Sequence, residues 1–284
     1  MRVLRSLFIT SLITLTCCAQ QNASDRESNQ PVEPFRIIGN VYYVGASEVT
    51  SFLITTPEGH FILDSGFAET VPQIRENVKK LGFKLEDVKF LLNSQSHYDH
   101  SGGLAELKKL TGAKMISSEG DREALEKGDR DNFAWGNTKT YAPVKVDRTV
   151  KDGEEIALGG VKMKAVITPG HTQGCTTWTL DVGEGGKTYN VVFVCSASIP
   201  GYKLVGNEKY PNIVADYETT FVKLKQLKPD VFLAAHGSFF DLLGKAEKLR
   251  KGVSPNAFID PAGYADYVAG AEKTFREKLA QAGR

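Results

Sequence analysis

The sequence predicts a layered α/β domain whose chemistry lies along one edge of its β-sheets. Two observations carry that expectation. Short apolar strands alternate with amphipathic helical stretches from Phe35 onward. Three of those strands stop in a turn that carries histidine, at residues 95–100, at His171 and at His236, and a fourth stops at Cys195-Ser196. In layered α/β folds such strand ends lie side by side, and ligands bind there.

The chain opens with a targeting segment. Met1-Arg2-Val3-Leu4-Arg5 supplies positive charge, and Ser6 to Thr16 supplies an apolar core too short for a permanent membrane span. Leu15-Thr16-Cys17-Cys18 resembles a bacterial lipobox with Cys18 as the lipidated residue, whereas cleavage after Ala19 would release a soluble protein. Both readings take the mature protein out of the cytosol and into the periplasm. Residues 1–19 are therefore assigned to the signal peptide and 20–31 to a flexible polar tether. Residues 32–284 form a single catalytic domain, because no repeat or second composition regime interrupts them.

Phe35 to Val44, Thr50 to Thr55 and His60 to Leu63 are short apolar runs separated by turn signals such as Thr56-Pro57-Glu58-Gly59. Ala68 to Leu81 reads as a helix, with Val71, Ile74, Val78 and Leu81 at helical spacing. Val88 to Leu92 is the strand that leads into Gln95. Leu104 to Leu110 and Gly120 to Lys127 read as helices around a short strand at Ala113 to Ser117. A long polar loop from Gly128 to Pro143 carries Phe133, Trp135 and Tyr141, either as a ligand rim or as anchors for the loop. Strands resume at 148–150, 155–158 and 161–167, and Thr176 to Leu180 pairs with Tyr189 to Val194 as a hairpin. Val214 to Leu227 is an amphipathic helix, Val231 to Ala235 a buried strand, and Tyr264 to Leu279 a last helix.

A net charge of +1 gives no reason to expect nucleic acid as a partner. With five histidines in 284 residues, their placement is informative. Imidazole and carboxylate are what zinc takes at roughly 2.0–2.2 Å. In Gln95-Ser96-His97-Tyr98-Asp99-His100, a loop after a strand can turn His97 toward one ion and Asp99 with His100 toward another. Adding the other strand ends yields two sets, Gln95, His97 and His171 against Asp99, His100 and His236. Each has three protein ligands and an open position, which is the pattern of a catalytic rather than a structural zinc. His60 stands apart and reads as structural. Cys175 and Cys195 can form a disulfide, but spacing cannot establish it; Cys195 reads as a packed thiol, with thiolate ligation as the alternative.

Ser96-His97-Tyr98-Asp99-His100-Ser101-Gly102-Gly103, Pro169-Gly170-His171-Thr172 and Ala235-His236-Gly237 together resemble the ordered signature of the metallo-β-lactamase superfamily. Ile62-Leu63-Asp64-Ser65-Gly66 agrees with it, over roughly residues 35 to 240. His100 directly after Asp99, the segment Pro200-Gly201-Tyr202-Lys203-Leu204, and His236-Gly237-Ser238-Phe239-Phe240 are similar to subclass B3. Gln95, where the family's first motif histidine stands, resembles a minority branch of that subclass.

The resemblance implies an αββα sandwich, two mixed sheets face to face with helices outside. It implies two zinc ions, and hydrolysis of the β-lactam amide bond of penicillins, cephalosporins and carbapenems by hydroxide held on zinc. The alternative is another hydrolase of the fold, acting on lactones, thioesters or esters. Glyoxalase II and the lactonases use a bridging Asp at the strand end where Cys195 and Ser196 stand here. An amide oxygen is a poorer zinc ligand than imidazole, so the Gln95 site is expected to be the weaker. Asp99 belongs with the reacting groups as well as the ligands, since the second ion would steady the departing nitrogen. Ser196 and Ser198 are implied to contact substrate or water, and Tyr202 to donate to the developing oxyanion, with packing as the alternative. Asp64 is implied to support the metal loop without touching metal. The expected partner is a small β-lactam substrate, and the expected state a monomer.

Overall fold

The computed structural model describes residues 23–253 and 256–283; the segment expected to be a leader, including Cys18, falls outside them. Seven strands form the first sheet in chain order: β1 (Phe35–Ile38), β2 (Val41–Tyr43), β3 (Phe52–Thr56), β4 (Gly59–Leu63), β5 (Val88–Leu92), β6 (Lys114–Ser118) and β7 (Arg148–Val150). It is antiparallel from β1 to β4 and parallel from β4 to β7. Five strands form the second: β8 (Glu155–Leu158), β9 (Val161–Ile167), β10 (Thr176–Glu184), β11 (Lys187–Val194) and β12 (Val231–Ala234), in the order β12-β11-β10-β9-β8. Only its β11–β12 pair is parallel. The helices are α1 (Ala23–Ser28), α2 (Val71–Lys80), α3 (Tyr98–Ser101), α4 (Leu104–Thr111), α5 (Glu119–Lys127), α6 (Ile213–Gln226), α7 (Leu242–Arg250) and α8 (Pro261–Ala282).

Alternation along the strands decides the layers. In β3, Phe52 and Ile54 enter the core between the sheets, while Leu53 joins the layer outside the first sheet. Phe61, Leu63, Leu92 and Ile116 face Met163, Trp178, Leu180 and Phe193 across the sandwich, and Phe52 meets Phe193 edge-on at 5.0 Å. On the outer face, Leu53, Ile62, Leu91 and Met115 are covered by Val71, Ile74 and Val78 of α2 and by Leu104 and Leu107 of α4. Each such buried side chain stabilises the fold by roughly 1.5–3 kcal/mol relative to exposure. The second sheet is covered by α6 and α8, with Phe221 packed on Phe275 and Phe232 on Tyr264. The result is the αββα sandwich.

One expectation needs correction, and two elements add to the sequence reading. Residues 20–31 do not read throughout as a free tether. Residues 23–28 form α1, and the stretch after it docks through Ser47 N to Gln30 O (2.9 Å), Glu48 N to Ser28 O (3.0 Å) and a bridge between Pro31 and Ala46. The apolar run 35–44 forms two strands, β1 and β2, paired as a tight hairpin. Leu242 to Arg250, unassigned from the sequence, is helical because Leu242 and Ala246 bury one side of it.

Candidate metal centre

The loop after β5 is built on Asp64, at the end of the neighbouring β4. Asp64 has φ 60°, a left-handed conformation costing about 1–2 kcal/mol for a side-chain-bearing residue. Ser94 donates to its carboxylate from both the backbone N (2.7 Å) and the hydroxyl (2.5 Å). Asn93 Nδ2 donates to Gln95 O at 2.7 Å and ties down the next peptide. The chain then turns through α3, whose single turn presents Asp99 and His100. Gly102, directly after it, must be glycine because a Cβ there would lie 2.5 Å from Tyr98 O and 2.8 Å from Ala68 N.

The side chains of Gln95, His97 and His171 come together. Nδ1 of His97 lies 2.8 Å from Oε1 of Gln95 and 3.1 Å from Nε2 of His171. All three side chains are buried. Nδ1 of His171 donates to Ser198 O at 2.9 Å, so its Nε2 keeps a lone pair directed at His97. Gly170 makes this turn possible, since its φ is +129° and a Cβ would lie 2.8 Å from the Tyr217 ring. Burial, followed by the neighbouring His171, holds His97 well below the usual imidazole pKa, and burial takes His171 to about 4. Both rings are neutral at pH 7, the form that ligates metal.

The second set also converges. Ligand atoms of Asp99, His100 and His236 all lie within 4.8 Å of one another. Nε2 of His100 is 3.2 Å from Nε2 of His236 and 3.5 Å from Asp99 Oδ2, and His236 Nε2 is 3.7 Å from that oxygen. Burial would raise the Asp99 pKa, but His100, His236 and His97 outweigh it and hold the carboxyl at about 2. Burial likewise opposes charge on His100, and Asp99 with Asp64 outweighs it, so its pKa lies above the ordinary value. Asp64 Oδ2 lies 3.7 Å behind His100 Nδ1.

Both sets fit zinc on geometry and donor chemistry. Two atoms about 2.1 Å from one tetrahedral ion stand about 3.4 Å apart. The separations of 2.8–3.7 Å bracket that value. Imidazole nitrogens aimed at each other in a buried space have no better partner than a shared cation. The first set is neutral and the second carries the Asp99 carboxylate, which favours metal in the second.

Ser196, Ser198 and Tyr202 stand beside the first set. Ser196 Oγ donates to Ser198 Oγ at 3.1 Å, and Ser198 Oγ is 3.4 Å from His171 Nδ1. The Tyr202 hydroxyl donates to the backbone oxygen of His171 at 3.1 Å. Its one proton is therefore committed to holding the His171 turn, and the expected oxyanion donation would require breaking that bond. The 128–143 loop brings its aromatics here. Asn132 Oδ1 accepts from Ala134 N and Trp135 N, and the Trp135 ring lies 4.7 Å from that of His97. Phe133 packs on Tyr202 at 4.9 Å.

One feature escapes the sequence reading, and another decides between its alternatives. Glu48 Oε1 lies 3.4 Å behind His236 Nδ1, and the same carboxylate accepts from Ser238 N and Oγ. Burial raises the Glu48 pKa, but His236 and Ser238 outweigh it and lower it. Nothing in a lone glutamate 188 positions upstream signals this; only the bridge between Val49 and His236 brings it there. The second is a correction. Cys195 is not a packed free thiol but is bonded to Cys175, with Cα atoms 5.9 Å apart. That bond leaves no thiolate for a metal. His60 sits away from the centre, with its ring against Phe83.

Residues 44–236 match the family described as the metallo-beta-lactamase superfamily. Among solved structures, a metallo-β-lactamase from Legionella gormanii is 39% identical, covers 90% of this chain and 98% of its own, and superposes with a TM-score of 0.88. A subclass B3 metallo-β-lactamase of Bradyrhizobium japonicum is 37% identical, with 91% and 97% covered and a TM-score of 0.86. A curated hydroxyacylglutathione hydrolase of Rhodospirillum rubrum is 32% identical over 113 residues, 40% of this chain. The chain spans about a third of the length of the curated relatives it matches, 35% and 31% for the first two.

Proposed function

This chain belongs to the metallo-β-lactamase superfamily, and from that premise we propose that it is a zinc-dependent hydrolase of β-lactam antibiotics. The observation that carries the reading is the composition of the second set. His100 stands with Asp99 and His236, while the end of β11 bears Cys195, locked in a disulfide, and Ser196, where a bridging carboxylate would serve a thioesterase of this fold. Similarity over nearly the whole length of B3 enzymes supports it.

Gln95, His97 and His171 would hold one zinc, and Asp99, His100 and His236 the other. Zinc supplies Lewis-acid polarisation of the scissile carbonyl and a water acidic enough to lose its proton near neutral pH. The protein contributes the rest. Ser198 O fixes which nitrogen of His171 faces inward, and the Glu48 and Asp64 carboxylates, 3.4 and 3.7 Å from Nδ1 of His236 and His100, favour the same orientation in those rings. Trp135, Phe133 and Tyr202 form an apolar wall against which a compact bicyclic substrate can lie. The Ser198 hydroxyl offers polar contact for its carboxylate, with the buried Ser196 hydroxyl bonded behind it rather than facing the substrate. The proposed setting is the periplasm, reached through the leader, with a monomer acting on a small molecule.

The curated relatives favour a second reading, thioester hydrolysis. Side-by-side assay of a carbapenem, a cephalosporin and an acylglutathione thioester separates the two. Turnover of the β-lactams with little of the thioester supports the proposal, and the reverse preference overturns it.

A further inference from the structure

Asp121 contributes no ligand, yet it joins the two loops that carry the first set. Its Oδ2 accepts from Ser96 N at 2.9 Å and from Thr172 Oγ1 at 2.8 Å, and its Oδ1 accepts from Gly174 N at 2.9 Å. Ser96 lies between Gln95 and His97, and Thr172 directly follows His171. The side chain is 2% exposed and enters from α5. Tyr141 OH donates to Ser96 O at 2.5 Å, so the Ser96 residue is held at both its N–H and its C=O. The approach is close enough to demand glycine. A Cβ on Gly120 would lie 2.5 Å from Gln173 O, and one on Gly174 would lie 2.2 Å from Asp121 N.

We propose that Asp121 is a positioning residue for the first metal set, fixing the spacing between the Gln95–His97 segment and His171. The proposal rests on the zinc reading above. It follows from what this set lacks. Three neutral ligands have no charge to draw a cation in, so their affinity depends on the ligands being held in place beforehand. Two of the three donors to Asp121 are backbone N–H groups, and leaving either buried and unpaired costs about 1–3 kcal/mol. A carboxylate accepts all three bonds; an asparagine at this position would turn an NH2 toward a donor. Burial raises the Asp121 pKa, and the bonds from Thr172, Gly174 and Ser96 restrain it to about 6, so it is ionised at neutral pH. None of its three bonds reaches a residue of the second set, behind whose rings the Asp64 and Glu48 carboxylates lie at 3.7 and 3.4 Å.

The test is a zinc titration of metal-free protein against a chromophoric chelator, reading each set separately. His236→Ala leaves the first set as the zinc site, and His171→Ala leaves the second. Asp121→Asn is expected to weaken zinc binding in the His236→Ala background by roughly 10–100-fold, the usual cost of losing a partner that orients a ligand. In the His171→Ala background the affinity should stay within about twofold of the single variant. Equal weakening of both sets, or of neither, would overturn the proposal. Thr172→Val removes one of the three bonds and leaves the anchor in place. It should produce a smaller loss, again confined to the first set, and it decides alone if Asp121→Asn fails to fold. Zinc uptake insensitive to both His171→Ala and His236→Ala would remove the metal reading itself, and this proposal with it.

Discussion

Oε1 of Gln95 lies 2.8 Å from Nδ1 of His97, so an amide oxygen points at the space shared with His171. The first set thus has oxygen, nitrogen and nitrogen with no formal charge. Gln95→His should raise zinc affinity at this set by at least the roughly tenfold that changing a ligand's hydrogen-bond partner costs. The same titration in the His236→Ala background measures it. An unchanged affinity would mean that Gln95 does not ligate.

Glu48 stands behind His236 much as Asp64 stands behind His100. Glu48→Gln keeps the shape but removes the charge that stabilises the metal-facing tautomer of His236. The expected outcome is a loss of roughly tenfold or more in second-set zinc affinity, with the first set unaffected. Zinc titration in the His171→Ala background reads it directly.

Asp129 provides a pH-dependent signature. It is buried, and burial is the main reason its pKa stands at about 7, against the hydrogen bonds from Asn132; Asp121 and Asp99 add to the rise. The folded state therefore binds a proton that the unfolded chain releases near pH 4. This contribution to stability is complete below the unfolded pKa and is lost as pH rises through 7. His97 and His171, with lowered pKa values, pull the other way below about pH 6.5. The quantity to measure is therefore the difference between wild type and Asp129→Asn, metal-free, by denaturant melts. The variant should gain on wild type between pH 5 and 7 by up to about 1.4 kcal/mol per pH unit, and a flat difference would contradict the shift.

The Cys175–Cys195 bond closes a loop across a sequence separation of 20 and links the His171 turn to the end of β11. Replacing both cysteines by serine should cost about 2–4 kcal/mol. That corresponds to a fall in melting temperature on the order of 5–10 °C for a chain of this size. Calorimetry of the oxidised protein against the double variant gives the comparison.

The ligand sets were legible because chemistry and punctuation coincide in them. His97, His171 and His236 each come shortly after an apolar strand; His171 and His236 adjoin glycine, and Gly102-Gly103 closes the His97 segment, so a local pattern marks a place on the sheet edge. Glu48 and Asp121 carry no such mark. Each is an ordinary acid in its own segment, and its role exists only because a sheet edge or helix end is brought against another loop. Residues 23–28 were missed for a related reason, since their polar composition looks unstructured while Tyr98 OH, donating to Asp25 Oδ1 at 2.9 Å, helps secure them to the metal loop. The disulfide was within reach. The β10–β11 register sets Trp178 opposite Phe193, which brings Cys175 and Cys195 close at the open end of the hairpin. Spacing alone, without that register, says nothing.

The most direct measurement is hydrolysis of a carbapenem by the purified mature protein, before chelation, after chelation and after zinc is restored. The account predicts turnover that chelator abolishes and zinc recovers, with activity rising as the weaker Gln95 set fills. No turnover by zinc-replete protein would contradict it.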